Sequence, residues 1–219
     1  MNIGEYILNE IKPLHLNNSV EEAKQLFDQF PFTHYPVVDN GKLLGSFAED
    51  DVHTSDKSEE ELLNYYHFLH LYYGTQKDTL LELLLIFSTN NTNIVPVVDE
   101  NNNYLGYYDL CDVLDVFTSS PFFADESTSL IVKKLERDFS MSEIAQIVES
   151  NGAQLLGSFI SRRENEFIEI SLNIKAMDVN EVMHTFRRYN YSVLSAIDND
   201  EYLQDLKSRS DYLKKYLEL

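Results

Sequence analysis

Residues 34–45 read HYPVVDNGKLLG and residues 94–106 read IVPVVDENNNYLG. The match outruns four letters. Pro36-Val37-Val38-Asp39 aligns with Pro96-Val97-Val98-Asp99, Leu44-Gly45 with Leu105-Gly106, and Asp51-Val52 with Asp112-Val113. A unit of about sixty residues is written twice, too few copies for a solenoid but enough for two half-domains to pack face to face.

Each PVV run is short, β-branched and bounded by turn formers, the pattern of a buried strand entering a hairpin. Asn40-Gly41 is a two-residue turn signal, and Glu100-Asn-Asn-Asn103 a longer, looser one. Capping boxes, in which a Ser, Thr or Asp cap is followed three residues later by Glu, predict helix starts at Ser19, Ser58, Thr79, Ser140 and Asp178. Each copy therefore reads strand–helix–strand–hairpin–strand–helix.

Beyond the second copy the pattern changes. Residues 118–128 (TSSPFFADEST) read as a linker. SLIVKKLE (129–136) alternates as a strand, and a helix runs from Ser140 to about Asn151-Gly152. A hairpin turns near Glu164-Asn165, a second helix opens at Asp178, and YSVLSAI (191–197) is a last strand. That order, βαββαβ over 129–197, predicts a two-layer sandwich. In 198–219 the residues Leu203, Leu206, Leu213 and Leu217 share one face, as in an amphipathic helix.

The charge is unevenly placed. Of the formal −20, residues 1–129 hold 22 acids against five lysines and no arginine, a balance of −17. Such a surface repels phosphate backbones and anionic lipid, which argues against nucleic acid and membrane as partners. The opening MNIGEYILNEIK carries neither a basic stretch nor a small-residue cleavage site, so no secretory signal is expected. The longest apolar stretch, LLELLLIF (80–87), is too short to span a bilayer. One cysteine, Cys111, permits no internal disulfide, suits a reducing cytoplasm, and reads as a small packed residue.

The repeated Pro-Val-Val-Asp strand, the following Leu-Gly, and the Asp six residues past that glycine resemble the CBS motif, a βαββα half-domain that pairs into a Bateman module. The resemblance covers residues 1–117, with motif 1 over about 1–57, motif 2 over about 74–117, and a connecting helix at 58–73. Residues 129–197 are similar in element order to an ACT-type regulatory domain. The whole layout resembles the acetoin-utilization AcuB-like regulatory proteins, in which neither part is an enzyme. The expected fold class is α+β: paired CBS motifs, then an ACT-like βαββαβ sandwich and a C-terminal helix.

The resemblance implies adenosine compounds bound between the paired motifs, with a Thr or Ser holding phosphate and the Asp holding the ribose hydroxyls. It points to His34, Tyr35, Pro36 and Asp51 at a first cleft, and to Ile94, Val95, Pro96, Asp109 and Asp112 at a second. Both Asp positions are kept, while the hydroxyl positions are lost to Ala48 and Asp109. Asp109 would set a negative charge where the family sets phosphate, so a polyphosphate is disfavoured at the second cleft. An adenosine or other low-charge ligand at the first cleft, reached by His34, remains open. Asp51 and Asp112 have an equally simple reading as helix N-caps. The ACT-like part has no glycine in its first strand-to-helix loop, Arg137–Met141, and reads as degenerate for amino-acid binding.

His67 and His70 stand three apart on the expected connecting helix, with His53 upstream. Zinc needs two more ligands, and the neighbouring Tyr65, Tyr66, Phe68, Tyr72 and Tyr73 suggest an aromatic interface instead. No phosphate loop, nucleophile elbow or HExxH is present, and no cofactor is implied. Two functions remain. One is a cytoplasmic, non-enzymatic, homodimeric regulator whose CBS pair senses an adenosine nucleotide or nucleoside and changes its contact with an unknown protein partner. The other is a dimeric scaffold with vestigial pockets.

Overall fold

A computed structural model describes residues 3–54, 57–123 and 126–194, and the chain separates into two units, Met1–Thr118 and Ser119–Leu219. In the first unit α1 (Val20–Gln29) opens at Ser19 in a complete capping box: Glu22 N–H donates to Ser19 Oγ while Ser19 N–H donates to the Glu22 carboxylate. Strand β1 (His34–Asp39) pairs antiparallel with β2 (Lys42–Ala48) through the Asn40-Gly41 turn, where both residues have positive φ, 48° and 77°. That is the backbone twist a two-residue hairpin requires. Helix α2 (Glu49–His53) follows directly.

The second copy repeats this. Helix α3 (Leu80–Asn90) has its own capping box at Thr79, β3 (Ile94–Val98) pairs with β4 (Tyr104–Asp109), and α4 (Leu110–Thr118) closes the unit. The looser turn is organised by Asp99, whose carboxylate accepts the N–H groups of Asn101 and Asn103, each at 2.8 Å. Even the irregularity is copied: the ladder slips between Val37 and Val38 and again between Val97 and Val98.

The strand expected ahead of each helix is made differently. Residues 7–8, ahead of motif 1, lie on β4 of motif 2, with Leu8 N–H donating to Tyr107 O and Tyr107 N–H to Leu8 O, both at 2.9 Å. Residues 69–70, ahead of motif 2, lie in the same way on β2 of motif 1, through His70 and Ser46. Each segment then reaches its own motif, where Leu14 bridges Val37 and Gly74 bridges Val97 in parallel. The repeats thus exchange their leading segments. This explains the repeated Leu-Gly, since the donated backbone crosses closely over Gly45 and leaves no room for a side chain at Gly106.

The expected connecting helix at 58–73 does not form. Ser58 caps nothing; its carbonyl and that of Glu60 accept the first-turn N–H groups of Glu21 and Val20, helix donors that otherwise lack partners. What remains is a 3-10 helix, Leu62–Phe68. Cys111, expected to be packed, is exposed on α4.

In the second unit β5 (Thr128–Leu135), α5 (Met141–Ser150), β6 (Gln154–Glu164), β7 (Phe167–Lys175), α6 (Val179–Arg188) and β8 (Ser192–Val193) follow the βαββαβ order. The sheet runs β6-β7-β5-β8, every pair antiparallel. One face, with Leu130, Val132, Ile168, Ile170, Leu172 and Ile174, is buried against Ile144, Ile147 and Val148 of α5 and Val182, Met183 and Phe186 of α6. Within the linker, Pro121–Phe123 form a 3-10 turn whose Phe122 ring covers Gly157 of β6. The last strand is short. Residues 195–197 and the amphipathic 198–219 lie outside the described residues.

Candidate functional site

The first cleft is built from four pieces of chain: the start of β1, the middle of β2, α2, and the donated segment 69–72. At its base Thr33 and His34 open β1. Thr33 Oγ1 donates its one proton to Asn93 Oδ1 at 3.2 Å and accepts from Asn93 N–H at 3.2 Å. His34 Nδ1 also lies 3.0 Å from Thr33 Oγ1. His34 is 6% exposed, and burial, with His70 beside it, holds its pKa below the ordinary value. Its ring meets the rings of His70 and Tyr72 edge-on, at 5.4 and 5.7 Å between centroids. The Tyr72 hydroxyl donates to Thr92 Oγ1 at 3.0 Å, and burial pushes its pKa up to about 12.

Asp51 stands within α2, where its carboxylate accepts from His70 Nε2 at 3.2 Å. It is not a helix cap; Ala48 holds that position and offers no side-chain bond. Behind Asp51 lies a void of about 10 Å³ lined by apolar residues including Val20, Phe47, Leu62 and Phe68. That is room for one water at most. The other two residues expected here point away: the Tyr35 ring is fully buried between Phe27 and Phe32, and Pro36 O accepts Leu14 N–H.

The second cleft has different chemistry. Ile94 replaces His34, and both Ile94 and Val95 are fully buried. Asp109 caps α4, accepting from Cys111 N–H at 2.7 Å and Asp112 N–H at 3.4 Å. Asp112 is thus in the first turn and is not the cap. Burial, with Asp109, Asp115 and Glu10 nearby, raises its pKa. Pro96 O accepts Gly74 N–H, as Pro36 does in the first copy. A site crowded by four carboxylates is hostile to phosphate.

Of the nine expected residues, His34 and Asp51 meet at the first cleft, where His70 joins them, and Asp109 and Asp112 meet at the second. Thr33 and Asn93 escaped the sequence reading, and His70 and Tyr72 were read as a weak zinc candidate and an interface aromatic, with no place in the cleft. Thr33 and Asn93 carried one signal, their matching places sixty residues apart in the repeat. His70 carried none, because its partner is set by the exchanged segments. His53, His67 and His70 do not converge, and among the described residues no group of three or more His, Cys, Asp or Glu is arranged to hold a metal. No helix among them is long and apolar enough to cross a membrane.

The CBS domain family model matches residues 3–55 and 75–119, the two copies described above. These two copies are similar to a pair of CBS domains. An uncharacterized protein of Methanocaldococcus jannaschii is 25% identical over 112 residues, 51% of this chain and 42% of that protein. A second from the same organism is 24% identical over 53% of this chain and 39% of its own length, so the match spans about two fifths of either relative. Among solved structures, a CBS domain pair/ACT domain protein from Thermotoga maritima covers 53% of this chain and 96% of its own, at 20% identity and a TM-score of 0.47. A CBS domain pair in complex with 5′-methylthioadenosine and S-adenosyl-L-methionine covers 53% and 95%, at 20% identity and a TM-score of 0.43.

Proposed function

We propose that the CBS pair is a cytoplasmic, non-enzymatic sensor, taking a low-charge adenosine compound at the first cleft and passing the change to a protein partner. The observation that carries this is the asymmetry of the two clefts. The first presents two imidazoles, His34 and His70, with Asp51 paired to His70 and Asp50 also near His34. The second presents Glu10, Asp109, Asp112 and Asp115. A carboxylate such as Asp51 suits the two vicinal hydroxyls of a ribose, and imidazoles suit a nucleobase edge or a single anionic group. Ligand binding would alter how the motifs meet, and the exchanged segments give that change a direct route. In this reading the second unit acts as an ACT-like domain, in a layout like that of the acetoin-utilization regulators, which its βαββαβ order supports.

The chain works as a homodimer, through the outer face of motif 2. At the positions where α1 carries Glu21 and Gln25, α3 carries Leu81 and Leu85, 69% and 66% exposed, with Leu114 of α4 also exposed. The fold does not need those leucines outside, since the first copy does without them. The same face supports the second reading, a dimeric scaffold with closed pockets.

A thermal-shift titration decides between the two. Adenosine, AMP, ATP, 5′-methylthioadenosine and S-adenosylmethionine are the probes. At 100 times its dissociation constant, a true ligand adds about 2.7 kcal/mol. Sensing requires a shift with an uncharged or weakly charged probe, a smaller one with ATP, and loss of the shift in Asp51→Ala. No shift with any probe leaves the scaffold.

A further inference from the structure

We propose that His70 is a side-chain latch on the first cleft: it holds the Asp51 carboxylate until a ligand displaces it, and Leu8 stands at the matching place in the second cleft with nothing to hold. This rests on the sensing reading above and specifies how the site opens.

Three observations converge. The backbone of His70 is fixed: its N–H donates to Ser46 O and Ser46 N–H donates to its carbonyl, both at 2.9 Å, with Gly45 directly beneath. Lifting the segment would break both bonds, so only the side chain is free to move. That side chain is 49% exposed, against 31% for Asp51, so it has water on one side and the His34 ring on the other. Its other neighbours cannot take its place. His34 is buried with Nδ1 hydrogen-bonded to Thr33, and Tyr72 is buried and donates to Thr92.

The space around Asp51 completes the argument. The void that Asp51 lines is about 10 Å³, too small for a ribose. A ribose would meet Asp51 at its exposed part, where His70 Nε2 lies 3.2 Å from the carboxylate. Leu8 makes the same two backbone bonds to Tyr107 that His70 makes to Ser46, yet offers no donor to Asp112. The repeat therefore keeps the crossing and changes the latch.

An exposed polar pair contributes little, so the latch sets a threshold and does not seal the site. Displacing it lowers affinity by about two- to fivefold. The test is direct binding of adenosine and 5′-methylthioadenosine to the full chain by calorimetry, for wild type, His70→Ala and His70→Leu. The leucine variant copies Leu8 and keeps an apolar group against His34, and melting curves check that each variant folds. Tighter binding to both variants, with histidine-ring NMR signals of His70 that move in Asp51→Asn, supports the latch. Binding to wild type that is unchanged or weaker in both variants overturns the latch alone. If none of the three proteins binds either probe, the sensing reading fails and the latch falls with it.

Discussion

Thr33 and Asn93, matching residues of the two repeats, hydrogen-bond to each other reciprocally: Thr33 N–H donates to Asn93 Oδ1 at 2.9 Å, and Asn93 N–H to Thr33 Oγ1 at 3.2 Å. The Asn93 side chain also donates to Pro31 O at 2.6 Å. The contact ties the start of β1 to the start of β3, so it is a clasp between the motifs. Asn93→Ala leaves the Thr33 amide and the Pro31 carbonyl without these partners and costs about 1–3 kcal/mol. Urea denaturation of Thr33→Ala, Asn93→Ala and the double variant checks this. A coupling below about 0.5 kcal/mol would remove the clasp.

His34 is held neutral by burial, its pKa below the unfolded value of 6.5. Between those two values the unfolded chain binds more protons than the native one, so stability rises with pH across the window and falls as pH drops from 6.5. Each unit of depression is worth about 1.4 kcal/mol. The groups around the ring, His70, Asp51 and Asp50, remain in a His34→Gln variant. Wild type minus variant stability, measured from pH 5 to 8, should shrink on the acid side; a flat difference refutes the assignment.

The two glycines at the crossings are not equally tolerant. A Cβ on Gly45 would meet His70 O at 3.0 Å, a contact that small shifts relieve. On Gly106 it would overlap Leu8 O outright and meet Ile7 Cγ2 at 2.8 Å. Both residues have φ near +150°, 151° and 147°, so alanine is strained at either site. We expect Gly106→Ala to cost about 3 kcal/mol or more and Gly45→Ala roughly half of that. Thermal melts of the two variants give the ranking, and equal losses would mean that the crossings are equally loose.

In the second unit the Lys134 ammonium, 10% exposed, pairs with Glu143 and lies 4.1 Å from the centroid of the Tyr191 ring. Tyr191 OH donates to the same carboxylate at 2.7 Å. Lys134→Met strips the carboxylate of its cation and should lower stability by about 1–3 kcal/mol. Glu143→Gln keeps an acceptor for both donors and should cost less. Denaturation curves of the two variants test the order, and a larger loss in Glu143→Gln would reverse it.

Leu85→Arg sets a charge in the middle of the apolar outer face of α3, where Leu85 is 66% exposed. A dimer built on that face dissociates, while the fold, which does not use the residue, keeps its melting temperature. Sedimentation velocity reads the change. Glu21→Arg, at the matching place on α1, serves as the control, and equal behaviour of the two variants would take the interface away from motif 2.

The sequence by itself determined whatever is written within a few residues. Asn40-Gly41 required positive φ twice, Ser19 and Thr79 closed capping boxes with Glu22 and Glu82, and the alternation Ile168, Ile170, Leu172, Ile174 placed a strand against a core. The spacing of Asp51 and Asp112 made the two-fold repeat legible for the same reason. Ser58 shows where that reading stops: its capping box is as good on paper, yet its carbonyl serves the first turn of α1 instead. Tertiary structure alone decided the exchange of leading segments, and with it the partner of Asp51. Asp51 and His70 stand nineteen residues apart with no periodicity linking them. Leu8 and Tyr107 meet from opposite ends of the unit. Local hydrogen bonds and side-chain periods leave marks in sequence, whereas a contact closed by packing two copies together depends on the whole assembled surface and leaves none.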